Sequence, residues 1–166
     1  MTHETFGFIG LGLIGGSLAK ALKRSNPNCR IMAYARTSAT TDLAFSEHTI
    51  DAICTSVSDP QFADCTCVFL CAPVDTNIAA LRILKDLVSP DCILTDVGSV
   101  KTDIHHAAQE MGLGGRFIGG HPMTGSEKSG FAHAQAHLFE NSYYIITPSS
   151  ETAPEKIDWY KKTVSA

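Results

Sequence analysis

Three glycines near the start of the chain have a spacing that suits the binding of a phosphate group. Gly10, Gly12 and Gly15 form a GxGxxG pattern between an apolar run, Phe6–Ile9, and a segment with helical spacing, Leu13–Lys23. The first glycine permits a tight turn, the second lets a pyrophosphate approach the backbone, and the third lets the helix pack on the strand. Unpaired N–H groups at the helix start attract phosphates. The pattern predicts a dinucleotide-binding turn, with a purely structural glycine turn as the alternative.

The residues after the second predicted strand indicate which dinucleotide binds. NAD-binding chains usually carry an acidic residue here, which holds the ribose 2′-hydroxyl. This chain instead has Arg36, Thr37 and Ser38, and its next carboxylate is Asp42. A guanidinium flanked by two hydroxyls suits a 2′-phosphate. The sequence therefore predicts NADP as the preferred cofactor and NAD as a possible one, unless Arg36 is an ordinary loop arginine.

Two polar residues that follow later strands are candidates for acid–base chemistry. Ser99 follows the strand Cys92–Val97, and His121 follows the strand Phe117–Gly119. Ligands of parallel sheets bind beyond the carboxyl ends of the strands. Histidine exchanges a proton near neutral pH, so His121 can take a hydroxyl proton while a hydride leaves the same carbon. Ser99 can hold that hydroxyl or the nicotinamide amide. The alternative is that His121 caps a loop and Ser99 caps the helix at Thr102.

The predicted cofactor contacts come from the loops after four strands, including the loop that follows Cys67–Cys71. They are Gly10, Gly12, Leu13, Ile14, Gly15, Arg36, Thr37, Ser38, Cys71, Ala72, Pro73 and Ser99.

The order of apolar segments predicts an α/β fold. Strands and helices alternate along the chain, and the strands are apolar runs rather than in–out alternations, which is typical of a parallel sheet covered on both faces. We expect a Rossmann-type, doubly wound, mostly parallel sheet. The expected strands are 6–9, 29–34, 52–54, 67–71, 92–97, 117–119 and 143–147, and the expected helices are 13–23, 40–47, 78–87, 102–111 and 155–164.

Composition narrows the function classes. The 166 residues are 44% hydrophobic and carry a net charge of −4, which excludes a disordered chain and argues against nucleic-acid binding. No run approaches the roughly 18 apolar residues of a membrane span, and the first residues do not resemble a signal peptide. The six cysteines lack zinc-site spacing, which predicts free buried thiols in a reducing cytoplasm.

Four other histidines receive structural interpretations. His133 and His137 are four residues apart, but no HExxH pattern or acidic partner accompanies them, so we predict no metal site. His105 and His106 are adjacent on a predicted helix, and both are expected to face solvent.

Four motifs together resemble the nucleotide-binding half of the prephenate/arogenate dehydrogenase family: GLGLIGGSLAKAL, LCAPV, DVGSVK and GGHPMTGSEKSG. The first motif is shared with many dehydrogenases, whereas the last two together are specific. The resemblance covers residues 6–148. It implies oxidative decarboxylation of prephenate or arogenate in tyrosine biosynthesis. It also implies that His121 is the catalytic base, that Ser99 orients the hydroxyl, and that Glu127 belongs to the active-site network.

The resemblance further implies a domain arrangement. Residues 1–150 would form the nucleotide-binding domain, and residues 151–166 would begin a connecting helix to an all-helical domain that is absent here. In this family that domain makes the homodimer and supplies groups for the substrate carboxylates, so we expect this chain alone to be weakly active or inactive. The alternatives are another NADP-dependent dehydrogenase or imine reductase, and a non-catalytic NADP-binding module.

Overall fold

The computed structural model describes residues 4–165, and within them seven strands form one sheet in the order β3-β2-β1-β4-β5-β6-β7. Neighbouring strands are parallel except that β7 runs antiparallel to β6. The expected Rossmann-type, mostly parallel sheet is confirmed. The strands are Thr5–Ile9 (β1), Arg30–Tyr34 (β2), Ala52–Ile53 (β3), Cys67–Leu70 (β4), Ile93–Asp96 (β5), Phe117–Pro122 (β6) and Tyr144–Pro148 (β7).

Helices cover both faces of this sheet. The α-helices are Leu13–Ser25 (α1), Ser38–Ser46 (α2), Val74–Leu87 (α3), Thr102–Glu110 (α4) and Pro154–Val164 (α5), and short 3-10 helices span Pro60–Asp64 and Phe131–His133. One core lies between the sheet and α1, α2 and α5, and a second lies between the sheet and α3 and α4. Strands β1, β4 and β5 are buried along their whole length because helices cover both of their faces.

Helix α5 packs into the same core as the rest of the described chain. Tyr160 is fully buried, and its hydroxyl lies 2.7 Å from the Thr95 hydroxyl and 3.0 Å from the Tyr144 hydroxyl. Trp159 stacks on Phe6 with a centroid separation of 6.3 Å. The helix is thus held to β1, β5 and β7, while the division of the chain at residue 150 stays a prediction.

The strand carrying His121 is longer than the sequence predicts. The expected end at Gly119 is wrong, because β6 continues to Pro122 through pairing with β7. This pairing sets His121 opposite Ile145 and Pro122 opposite Tyr144. His121 is therefore held by a β-ladder rather than by a loop.

The cysteines behave as small apolar residues. All six are free thiols within residues 4–165, and all are buried except Cys71, which is half-buried. Burial raises the pKa of the Cys54 and Cys92 thiols to about 12, so both stay neutral. No helix within the described part of the chain is long and apolar enough to cross a membrane.

Candidate active site

The glycine turn between β1 and α1 has the geometry that close approach of a phosphate requires. Gly10 has φ +93°, a conformation that favours glycine, and its N–H donates to the Tyr34 carbonyl at 2.8 Å. A Cβ on Gly15 would lie 2.6 Å from the Gly10 carbonyl oxygen, which only glycine avoids. A Cβ on Gly12 would meet nothing within 4 Å. The turn is thus closed towards the sheet and open on its outer side.

The start of α1 faces this open side. Gly12 is the residue that caps the helix, and neither a side-chain cap nor an acidic residue occupies the first turn. The first N–H groups are therefore free to bind an anion, in line with the helix dipole. Leu13 and Ile14 are half-buried in this turn, and Ile14 packs against the core. The residues present therefore fit the pyrophosphate of a dinucleotide.

The loop after β4 lies against the glycine turn. A Cβ on Gly10 would lie 3.1 Å from the carbonyl carbon and oxygen of Cys71 and 3.2 Å from the amide nitrogen of Ala72. Strands β1 and β4 are neighbours in the sheet, and the chain order reverses between them, which is where doubly wound sheets bind their ligands. Pro73 is exposed just before α3. The structure therefore brings the first and third predicted contact loops together.

The second predicted loop follows β2 on the other side of β1. Arg36, Thr37 and Ser38 are all exposed, and Thr37 is the residue that caps α2. Among the described residues, none of these three side chains makes a hydrogen bond, and Arg36 makes no ion pair. A cation and two hydroxyls at the start of a helix form a set of free donors for an anion.

The loop that carries Ser99 is anchored by a buried carboxylate, Asp96, at the end of β5. Asp96 is 2% exposed. Its Oδ2 accepts the Gly98 N–H at 3.0 Å and pairs with the Lys101 ammonium, while its Oδ1 accepts the Gly120 N–H at 3.4 Å. The side chain thus joins the Ser99 loop to the strand that carries His121. The opposite charges in the motif DVGSVK could have indicated the ion pair of Asp96 with Lys101, but not the bonds of Asp96 to Gly98 and Gly120.

Ser99 itself is exposed at the carboxyl end of β5. The residue that caps α4 is Lys101, and no side chain makes a capping hydrogen bond at this helix start. Ser99 therefore does not cap that helix. Its hydroxyl is left available at the edge of the sheet where β5 and β6 end.

One ring nitrogen of His121 is enclosed by the protein. Its Nδ1 is buried and has no hydrogen-bond partner among the described residues. The enclosure of Nδ1 leaves Nε2 as the candidate for proton exchange with a bound molecule. The ladder with β7 fixes the backbone of this residue.

Glu127 lies in an exposed loop between β6 and the 3-10 helix at Phe131–His133. Its carboxylate makes no hydrogen bond or ion pair with another residue in the range 4–165. The contacts do not join it to Ser99 or His121, so its role stays a prediction.

The expectation that His105 faces solvent is wrong, whereas His106 is exposed as expected. The His105 ring is half-buried, lies edge-on to Phe117, and has its Nε2 2.9 Å from the Thr147 hydroxyl. A Cβ on Gly119 would lie 2.5 Å from this Nε2, so the glycine leaves the space that the histidine fills. Helix α4 is thereby tied to β7 across β6.

His105 should make the fold less stable in weak acid. Burial is the main cause that lowers its pKa below 6.5, while Asp96 raises it and Lys101 lowers it. The unfolded chain therefore takes up this proton first as pH falls. The contribution of the neutral histidine to the free energy of unfolding is complete above about pH 6.5. It is lost as the pH falls towards the lower pKa of the folded state. Between about pH 7.5 and 5.5, the free energy of unfolding of His105→Gln, measured with urea, should fall less than that of the native chain. The two falls should differ by less than about 1 kcal/mol. His106→Gln is the control, and equal slopes for all three proteins would contradict the expectation.

Comparison with known proteins fits this geometry. The model of the prephenate dehydrogenase nucleotide-binding domain matches residues 18–166. The chain belongs to the prephenate dehydrogenase family. Because the match begins at residue 18, this assignment does not depend on the glycine turn.

Three relatives illustrate the similarity. Prephenate dehydrogenase of Bacillus subtilis is 34% identical over 167 residues, covering 95% of this chain and 43% of the relative. The crystal structure of A. aeolicus prephenate dehydrogenase in complex with hydroxyphenyl propionate and NAD+ is 31% identical, with a TM-score of 0.91, covering 99% of this chain and 57% of that one. The crystal structure of Synechocystis arogenate dehydrogenase is 34% identical, with a TM-score of 0.88, covering 97% of this chain and 56% of that one. The chain thus spans about half the length of these family members.

Proposed function

We propose that the protein containing this chain is a prephenate or arogenate dehydrogenase, which carries out an NAD(P)-dependent oxidative decarboxylation. The observation that carries the proposal is the arrangement around Asp96. One buried carboxylate binds both the loop of Ser99 and the strand of His121, at the edge of the sheet where the nucleotide crevice opens. The names of the relatives include both substrates, so the choice between them stays open.

The proposed reaction needs a hydride acceptor, a base and a leaving carboxylate. Bound NAD(P)+ supplies the hydride acceptor. As the hydride leaves the ring carbon that bears the hydroxyl, His121 Nε2 takes the hydroxyl proton and a carbonyl forms. The ring carboxylate then leaves as carbon dioxide. The electron pair of its broken C–C bond enters the ring, which becomes aromatic, and the carbonyl oxygen regains a proton.

The three predicted catalytic residues take different parts in this scheme. His121 is the base, and the β6–β7 ladder holds its backbone at the end of the sheet. Ser99 donates to or accepts from the substrate hydroxyl, which orients it towards His121. Glu127 reaches the substrate from the exposed loop after β6. A positioned base contributes roughly 100- to 10,000-fold to such a rate.

The cofactor preference is part of the proposal. Arg36, Thr37 and Ser38 would hold the 2′-phosphate of NADP at the start of α2. No carboxylate stands at that place to hold the ribose hydroxyls of NAD. NADP is therefore the preferred cofactor, and NAD is the weaker one.

The remaining predictions describe the whole protein. We infer that it works in the cytoplasm as a homodimer, and that a helical domain outside this chain makes the dimer and completes the substrate site. Residues 1–150 would then be the nucleotide-binding domain, and α5 would lead towards the helical one.

The test is an absorbance assay for the reduced nicotinamide, with prephenate and arogenate each combined with NADP and NAD. It is made on the 166-residue chain and on longer chains that contain it. We expect NADP reduction with one of the two substrates, faster in the longer chain. If NADPH binds but neither NADP nor NAD is reduced with either substrate, at any chain length, the result would favour a different dehydrogenase or a non-catalytic module.

A further inference from the structure

A buried asparagine on α3 holds the loop that faces the glycine turn. Asn77 is 2% exposed. Its Oδ1 accepts the Ala72 N–H at 3.1 Å, and its Nδ2 donates to the Ala72 carbonyl at 2.8 Å and to the Leu70 carbonyl at 3.3 Å. Both polar groups of Ala72 are thus bound by one side chain, and the last residue of β4 is bound as well.

The chemistry of this contact requires an amide. The loop presents one N–H donor and two carbonyl acceptors to the same side chain, and a short amide is both acceptor and double donor. A carboxylate of the same shape accepts but does not donate, so it would face two carbonyls without a proton. An alanine would remove this partner from the buried Leu70 carbonyl and from both half-buried polar groups of Ala72.

The position of the loop links this contact to the nucleotide. Gly10 approaches Cys71 and Ala72 so closely that a Cβ on Gly10 would touch both. The glycine turn and the Ala72 loop are therefore the two walls of the crevice between β1 and β4. Because Arg36 lies on the β2 side of β1, the Ala72 loop flanks the part of the dinucleotide remote from the 2′-phosphate.

We propose that Asn77 is a positioning residue for the dinucleotide, which it serves by fixing the backbone of Cys71 and Ala72 as the second wall of the crevice. The inference rests on the proposed cofactor binding. A residue that only stabilised α3 would change the unfolding temperature and leave the affinity of the folded protein unaltered. Asn77 should change the affinity itself.

The experiment titrates the 166-residue chain with NADPH and separately with NADH, following nicotinamide fluorescence well below the unfolding temperature. In Asn77→Asp and Asn77→Ala, both cofactors should bind about tenfold more weakly, by the same factor, because the loop lies away from the 2′-phosphate. Asn77→Ser keeps one short polar group and should fall between these variants and the native chain. Asn77→Ser also provides the test if Asn77→Asp or Asn77→Ala does not fold.

The control is Thr152→Val. Thr152 is also buried, and its hydroxyl donates to the Gly114 carbonyl at 3.0 Å, before the amino end of β6 and on the opposite edge from the crevice. This variant should lose stability and keep both affinities. Native affinity in the Asn77 variants would overturn the positioning role alone. Failure of the native chain to bind either nucleotide would overturn the role together with the proposed cofactor.

Discussion

Replacing His121 by asparagine should lower the turnover number for oxidative decarboxylation by about 1000-fold, the range expected for loss of a positioned base. Asparagine fills about the same space as the part of the histidine side chain nearest the backbone, so the strand should remain paired with β7. NADPH affinity should change less than about twofold, because His121 lies beyond the crevice between β1 and β4. The rates are measured on the shortest chain containing this domain that shows turnover.

The matched control for this experiment is His106→Asn. His106 is exposed on α4, where its ring lies 3.8 Å from the Glu110 carboxylate. Its replacement removes one histidine from the helix that precedes β6 and should leave the turnover number unchanged. A His121→Asn protein that retained a tenth or more of the native rate would show that another group takes the proton.

The parts of the fold that the sequence predicts well are those that depend on local pattern. The glycine spacing and the apolar run before it fix β1, the turn and α1, because each glycine answers a steric need inside one βαβ unit. Strands β4 and β5 were predictable for a related reason. Both faces of the sheet are covered there, so a short continuous apolar run suffices.

The parts that could not be predicted depend on contacts between distant segments. The end of β6 is set by β7, which lies more than 20 residues later, so no pattern within 117–122 reveals it. His105 is half-buried only because Gly119 leaves room above the sheet. The position of His105 on the helix, next to the exposed His106, does not indicate that its ring is half-buried.

The same reasoning explains which site residues were missed. Asp96 and Asn77 act through the backbone of neighbouring loops, and a sequence does not show which N–H or carbonyl groups lack partners. Ser99 and His121 are predicted as site residues because they follow strands and bear reactive groups. The carboxylate that links their two segments became apparent only from its hydrogen bonds to Gly98 and Gly120.

Replacing Arg36 by alanine should weaken NADPH binding by about 30-fold, or roughly 2 kcal/mol, the size of a charged hydrogen bond. NADH affinity should stay within about twofold of the native value, because NADH lacks the 2′-phosphate that the guanidinium would bind. The measurement is a pair of fluorescence titrations at low ionic strength, where an exposed charge pair is least screened. The NADPH effect should shrink as salt is added.

Two further variants decide whether this arginine selects the cofactor or merely adds positive charge. Arg82 is exposed on α3, outside the crevice, so Arg82→Ala removes the same charge and should leave both affinities intact. Arg36→Asp places a carboxylate where NAD-binding sheets usually have one, so it should bind NADH more tightly than NADPH, because it accepts from the ribose hydroxyl and repels a phosphate. If Arg36→Ala weakened NADH and NADPH by the same factor, the arginine would be acting on a group that both cofactors share, and the NADP preference would have to come from elsewhere.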